Sequence, residues 1–321
     1  MKQEPSAASP HLPMVDAARG AAILAMIVYH FSWDLRYFGY IAADVAGDLG
    51  WRIFARSIAG SFLFLVGVGL VLAARGGRSP ARYLRRLAII AGGAAAITAV
   101  TWFVFPDSFI FFGILHHIAV ASVLALPFVR APLALVAAAA AFSALAPPLL
   151  AGPAFDSPAL LWLGLQTYSP RTNDFVPIFP WFAIVLAGIG AAKVALRPPA
   201  AIAAALSRPA PGPLIWAGRN SLAIYLLHQP LLFGLVFIAS TVAPSDLRGF
   251  EPAFVESCAA ACVASDVGAD ECRGACLCLA GRAQTAGLWN DLMRGTLGEE
   301  DSRRYFTLAD ECRAAVDAPT E

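Results

Sequence analysis

Long apolar runs, broken by short polar and basic stretches, fill the first three-quarters of the chain. A helix needs roughly 20 mostly apolar residues to cross a bilayer core. Seven stretches meet that length: Val15–Asp34, Ile53–Ala73, Leu87–Phe105, Phe109–Val129, Leu133–Leu150, Ile178–Leu196 and Leu214–Thr241. The fifth is alanine-rich and closes on Pro147-Pro148. In the first, Asp16, Arg19, His30, Ser32 and Asp34 sit at the ends and outer half, with no small-residue cleavage site after them, so a retained span is expected rather than a cleaved signal peptide. Near Pro244 the pattern changes: charges become dense, and all six cysteines follow. The expected fold is an all-α polytopic membrane bundle of about seven spans over residues 1–243, carrying a small Cys-rich helical body over residues 244–321.

Composition supports this class. The 321 residues are 59% hydrophobic and 14% charged, with a mean hydropathy of +0.66, whereas soluble domains average about 45–50% apolar and about 25% charged. A soluble enzyme, a nucleic-acid binder and a disordered scaffold are thereby disfavoured, and membrane lipid is the expected surroundings. The formal charge of +1 conceals an asymmetry: 16 Lys+Arg against 8 Asp+Glu up to Ala243, then 7 against 14.

Basic residues are retained on the cytoplasmic side. With the N-terminus inside, the inner side receives Lys2, Arg19, Arg75, Arg78, Arg82, Arg85, Arg86, Arg130, Lys193, Arg197, Arg208 and Arg219, and the outer side Arg36, Arg52, Arg56 and Arg171, a split of 12 to 4 that reversal would invert. Seven spans then put the C-terminal body outside a plasma (inner) membrane. Six cysteines in about 55 residues independently suit an oxidising compartment.

Ionisable groups inside a membrane are costly and usually face a cavity or a partner. His30, His116, His117 and His228 fall inside the expected spans. At about 1.5 Å per residue, His30 and His228 each lie roughly 21 Å from the inner ends of their spans and His116 roughly 18 Å, one layer slightly outside the midplane. Asp34 follows His30 by four residues and so shares its helix face; a carboxylate there fixes the tautomer and raises the basicity that a general base requires. Pro230, in YLLHQP, deprives the Leu226 carbonyl of its partner and favours a kink beside His228. At the inner ends, Arg19 in DAARG, Arg85 and Arg86 in RYLRR, and Arg219 in GRNS are the guanidiniums an anionic co-substrate would meet first. On the outer side, Asn173, Asp174 and Trp181 in the linker RTNDFVPIFPW form the candidate rim of an acceptor site.

The blocks RGAAILAMIVYHFSWDL, FGILHHIA, DFVPIFPW and GRNSLAIYLLHQP are similar to signature blocks of the heparan-alpha-glucosaminide N-acetyltransferase catalytic-domain family in its bacterial form, a branch of the transmembrane acyltransferases. The resemblance runs from about Leu12 to Ser240. It implies acetyl transfer across a membrane, from acetyl-CoA at the cytosolic face to a sugar amine or hydroxyl of a cell-envelope glycan at the outer face, with no metal. By position, His30 stands where animal members have an asparagine lining the active site, His228 matches their histidine in the penultimate block, and Arg19 and Asn220 match motif positions. The chain departs from the animal enzymes in having about seven spans rather than about eleven. The segment Arg36–Trp51 also lacks the histidine proposed as catalytic in their first luminal loop. His30 or His116 would take that role. A water-poor pocket suits such a transfer because it limits thioester hydrolysis. A b-type haem electron carrier, using paired intramembrane histidines, and a transporter are the competing classes, and a homo-oligomer is left open.

In the tail, Cys258 and Cys262 form one C-x3-C pair and Cys272 and Cys276 another, followed by Cys278 and Cys312. Cysteines four apart share a helix face. Two antiparallel helices would set Cys258 against Cys276 and Cys262 against Cys272, leaving Cys278 for Cys312, one of 15 connectivities. With no histidine in the tail and no usual zinc spacing, disulfides are expected over a metal site.

Overall fold

The computed structural model describes residues 12–77, 79–196, 204, 206–243, 247–263, 268–294 and 297–317. Lys2, Arg78 and Arg197, used above to orient the chain, lie outside the described residues. Thirteen α-helices are seen among the described residues: α1 Pro13–Tyr37, α2 Leu49–Arg75, α3 Pro80–Val104, α4 Ile114–Leu124, α5 Leu126–Arg130, α6 Leu133–Leu150, α7 Ile178–Ala195, α8 Gly212–Arg219, α9 Ser221–Val242, α10 Glu251–Val263, α11 Ala269–Thr285, α12 Trp289–Arg294 and α13 Glu299–Asp317. Six of them (α1, α2, α3, α6, α7 and α9) are long and apolar enough to cross a membrane.

Two of the expected spans are built differently. The stretch Phe109–Val129 is not one helix. Its first residues run extended, because Asn173 N–H donates to Ser108 O at 2.9 Å and Val176 N–H to Phe112 O at 3.1 Å, tying them to the linker before α7. Helix then starts only at Ile114, and Pro127 opens the separate α5. The 11 residues of α4 and the 5 of α5 would still rise about 24 Å if stacked end to end. The stretch Leu214–Thr241 divides at Asn220, whose amide donates to Trp216 O at 2.9 Å and closes α8 before α9 begins. A side chain that binds a nearby carbonyl competes with the helical ladder, which ends there.

The chain forms two compact units, and α1 and α9 contribute to both. The first holds the chain up to Tyr29 and Arg52–Gln229. Its core is the face of α7 that carries Phe182, Val185, Leu186, Ile189 and Ala192, packed on Leu63 and Val71 of α2, Ala121 of α4 and Val136 of α6. The contact of α2 with α7 is glycine on both sides: a Cβ on Gly67 would stand 2.1 Å from Val185 O, and one on Gly188 2.1 Å from Phe64 O. Backbones this close leave no room for a side chain, a packing mode that membrane helices favour. Large apolar side chains such as Phe103 and Val123 face outward, exposed, as expected of surface covered by lipid.

The second unit holds His30–Trp51 and Pro230–Glu321. Phe38 packs on Phe233 and Phe237, Arg36 lies 3.9 Å from the centre of the Phe250 ring, and Tyr40 O–H donates to Ala243 O at 2.7 Å. The Cys-rich helices build a small core from Leu247, Phe250, Val255, Cys276, Ala280, Ala283 and Trp289. Trp289 Nε1–H donates to Leu247 O at 2.8 Å. Three disulfides join Cys258 to Cys276, Cys262 to Cys272 and Cys278 to Cys312, with Cα separations of 5.9, 5.7 and 5.7 Å. They are the pairs that two antiparallel C-x3-C helices imply.

Candidate functional site

In the first unit, helix ends from distant parts of the sequence enclose a cavity of about 490 Å³. Asp16 and Arg19 come from the start of α1, Gly69, Leu72 and Arg75 from the end of α2, and Arg86 from the first turns of α3. Leu196 follows α7, Gly218 and Arg219 end α8, and Ser221 and Leu222 open α9. Among the described residues its charged wall is four guanidiniums and one carboxylate, with the Ser221 hydroxyl beside them. Asp16 accepts from Arg19 Nη1 at 3.2 Å and from Arg219 Nε at 3.5 Å. Arg75 donates to Leu196 O at 2.8 Å. The grouping depends on Gly218, where a Cβ would stand 1.8 Å from Asp16 O; only glycine lets α8 touch α1 so closely.

Of the residues expected to meet an anionic co-substrate, Arg19, Arg86 and Arg219 line the cavity, and Arg85 and Asn220 are not among its lining residues. Asn220 instead closes α8. Arg75 and Asp16 belong to the wall as well; the sequence marked them only as an inner-side charge and a helix-end acid, because their convergence is tertiary.

A second polar cluster surrounds the start of α4. Asp174 Oδ2 accepts from Ile114 N–H at 2.9 Å, satisfying one of the donors that a helix N-terminus leaves without a partner. Gly113 makes room: a Cβ there would lie 2.3 Å from that same oxygen. Burial pushes the Asp174 carboxyl up to about 6, opposed by the Ile114 bond. Its charge reaches the phenols of Tyr29 and Tyr225, both of which pack on the cluster of Ile23, Met26 and Ile58. Tyr225 lies about 4.5 Å along α9 from Leu222 in the cavity wall, and Tyr29 about 15 Å along α1 from Arg19. Neither tyrosine was singled out in the sequence. The available signal was their spacing from histidine, Tyr29-His30 and Tyr225-x-x-His228. Asn173 is exposed and used through its backbone, and Trp181 packs against the α7 core.

The histidines differ in what their rings do. His116 Nδ1 accepts from Gly113 N–H at 3.2 Å, so the proton sits on Nε2 and goes to Thr98 Oγ1 at 3.1 Å, since the Thr98 hydroxyl spends its own proton on Ile110 O at 2.7 Å. One nitrogen thus closes the first turn of α4 and the other ties that turn to α3. His117, fully buried, points Nδ1 at Val176 O and Pro177 O, 3.1 and 3.2 Å away. Carbonyls only accept, so Nδ1 is protonated and pins α4 to the linker. His228, also buried, points Nδ1 at Tyr225 O at 2.7 Å, which fixes the proton there and makes Nε2 the basic atom. These three rings therefore engage separate neighbours. His30 and Asp34 belong to the second unit, four residues apart on α1, His30 half-buried and Asp34 fully buried.

Asp174 gives the site a pH signature. Its carboxyl holds a proton in the folded protein at pH values where the unfolded chain has lost it, so the native state binds more protons between about pH 4 and pH 6, and stability from this group falls as pH rises through that window. Asp174→Asn keeps an oxygen for Ile114 N–H and removes the titration. Thermal unfolding in detergent should show the variant gaining on wild type from pH 4 to pH 7. A constant difference across that range would contradict the buried titration.

Residues 12–230 match the family model described as heparan-alpha-glucosaminide N-acetyltransferase, catalytic. No curated protein and no solved structure matches the chain.

Proposed function

Because the chain belongs to the heparan-alpha-glucosaminide N-acetyltransferase catalytic family, and so to acetyltransferases embedded in membranes, we propose that it moves an acetyl group from cytosolic acetyl-CoA to a sugar or glycan acceptor on the outer face of the plasma membrane. The observation that carries this reading is the arginine-walled cavity. Arginine binds phosphate bidentately, and a volume of about 490 Å³ falls within the range of roughly 300–1,000 Å³ of small-molecule sites. Arg19, Arg75, Arg86 and Arg219 would hold the phosphates of CoA.

Transfer needs a base that removes the acceptor's proton as its nitrogen or oxygen attacks the thioester carbonyl. The C–S bond then breaks, and the thiolate leaves to be protonated as CoA. His228, with its tautomer fixed, and His30, backed by Asp34, are the candidate bases. Tyr225 lies between the cavity and Asp174, along the line an acetyl-bearing arm of roughly 15–20 Å would follow across a core about 30 Å thick. Asp174, with Asn173 in the same linker and Trp181 in the first turn of α7, would meet the acceptor. In this reading α4 and α5 cross together as the seventh span, the N-terminus is cytoplasmic and the disulfide-bearing body lies outside, where its bridges persist.

The test is incubation of protein-loaded vesicles with radiolabelled acetyl-CoA outside and amino sugars or neutral sugars in the lumen, for protein inserted in each orientation. Labelled acetyl-sugar is expected only when the cavity end faces the acetyl-CoA. Label transfer independent of orientation, or none to either class of sugar, would remove this reading.

A further inference from the structure

The cavity holds one carboxylate among four guanidiniums, and that carboxylate is bonded to two of them. Asp16 takes Arg19 and Arg219 at 3.2 and 3.5 Å, and among the described residues four arginines and one aspartate leave the wall with a net charge of +3. Its backbone is fixed by the Gly218 contact, so only its side chain can rotate away. We propose that Asp16 is a built-in competitor for the guanidiniums that grip the CoA phosphates, weakening the hold of the cavity so that the spent polyanion is released. The inference rests on the reading of this cavity as the acetyl-CoA site.

The physical argument is one of exchange. An arginine that turns from Asp16 to a phosphate loses one charge-assisted pair as it gains another, so the net gain per arginine is small. The carboxylate then stays beside the bound phosphates and repels them, and because the Asp16 side chain is itself mostly buried, solvent screens that repulsion only in part. Four arginines without such a counter-ion would bind a polyanion tightly and let it go slowly, and affinity differences of this kind reside mostly in the dissociation rate. With Asp16 present, Arg19 and Arg219 also keep their places in the empty cavity instead of repelling each other.

A second role for the same residue predicts the opposite sign. If Asp16 served only to orient Arg19 and Arg219, its loss would weaken anion binding. The full-length protein in lipid nanodiscs, titrated with CoA and with adenosine 3′,5′-bisphosphate, separates the two. Asp16→Asn is expected to tighten both ligands about tenfold, equivalent to about 1.4 kcal/mol, chiefly through slower dissociation. Equal or weaker binding by the variant, with wild type binding normally, overturns the competitor role and leaves the cavity reading standing. No saturable binding of either ligand to wild type overturns the cavity reading and this inference together. Should Asp16→Asn not purify as a monodisperse protein, Asp16→Ser, equally uncharged and smaller, takes its place, with tighter CoA binding than wild type expected and equal or weaker binding overturning the competitor role.

Discussion

Replacing His228 by alanine is expected to lower kcat for acetyl transfer by about 10²–10⁴, the usual contribution of a positioned general base, while KM for acetyl-CoA changes little. The expectation rests on the chemistry of one ring. The bond from Nδ1–H to Tyr225 O holds the neutral tautomer whose Nε2 can take a proton, and the residue is buried on the helix that also supplies Ser221 and Leu222 to the cavity wall. His116 is the internal control, because both of its nitrogens are committed to Gly113 and Thr98. His116→Ala should cost about 1–3 kcal/mol of stability, chiefly from the Gly113 N–H left without its acceptor, the Thr98 hydroxyl keeping its bond to Ile110 O, with little change in kcat. His30→Ala extends the comparison to the second candidate base. A full loss in the His30 variant beside an unimpaired His228 variant would transfer the role to the His30–Asp34 pair. Unchanged kcat in both would remove histidine bases from the reaction.

The legible part of the fold was the part governed by local composition. A long apolar run has few alternatives in a membrane, because helix satisfies every backbone group within the segment, and α6 spans the very residues Leu133–Leu150 that the alanine-rich run marked. Of the two stretches built differently, Leu214–Thr241 breaks at a local side-chain bond of Asn220, while Phe109–Val129 departs because its backbone bonds go to distant partners. Nothing local to Phe109–Phe112 says that its carbonyls will accept from a linker some sixty residues later, as Phe109 O does from the Thr172 hydroxyl at 2.8 Å. Site chemistry divides the same way. The arginines were visible as basic residues at span ends, yet the reason that Arg219 reaches Asp16 is the side-chain-free contact at Gly218, a property of two helices 200 residues apart. A shared depth for His30, His116 and His228 was an expectation about height along each helix taken by itself. Depth does not fix direction, and His116 spends its ring on the cap of α4.

The disulfide body carries the other large expectation: with all three bridges removed, its helices should no longer hold together. The separations closed by the bridges are 18, 10 and 34 residues, and bridges of this kind contribute typically 2–4 kcal/mol each by restricting the unfolded chain. Together that is of the same order as the about 5–15 kcal/mol net stability of a whole domain, and the described residues of this body give a small core in which Cys272, Cys276 and Cys312, all bridged, are themselves among the buried side chains. Small cores need such staples. The Cys278–Cys312 bridge closes the longest separation and joins α13 to α11, so Cys278→Ser with Cys312→Ser should cost about 1 kcal/mol more than loss of the Cys262–Cys272 bridge on loop-entropy grounds. Limited trypsin digestion read by mass spectrometry checks both statements, since Arg273 and Arg282 are exposed on α11 but protected from cleavage while the helix is intact. Reduction should open cleavage after these two residues while α2 and α7, held by Gly67 and Gly188, stay whole. Cleavage at the same rate before and after reduction would mean that the helices of the body stand without their bridges, and that the cysteines serve something other than stability.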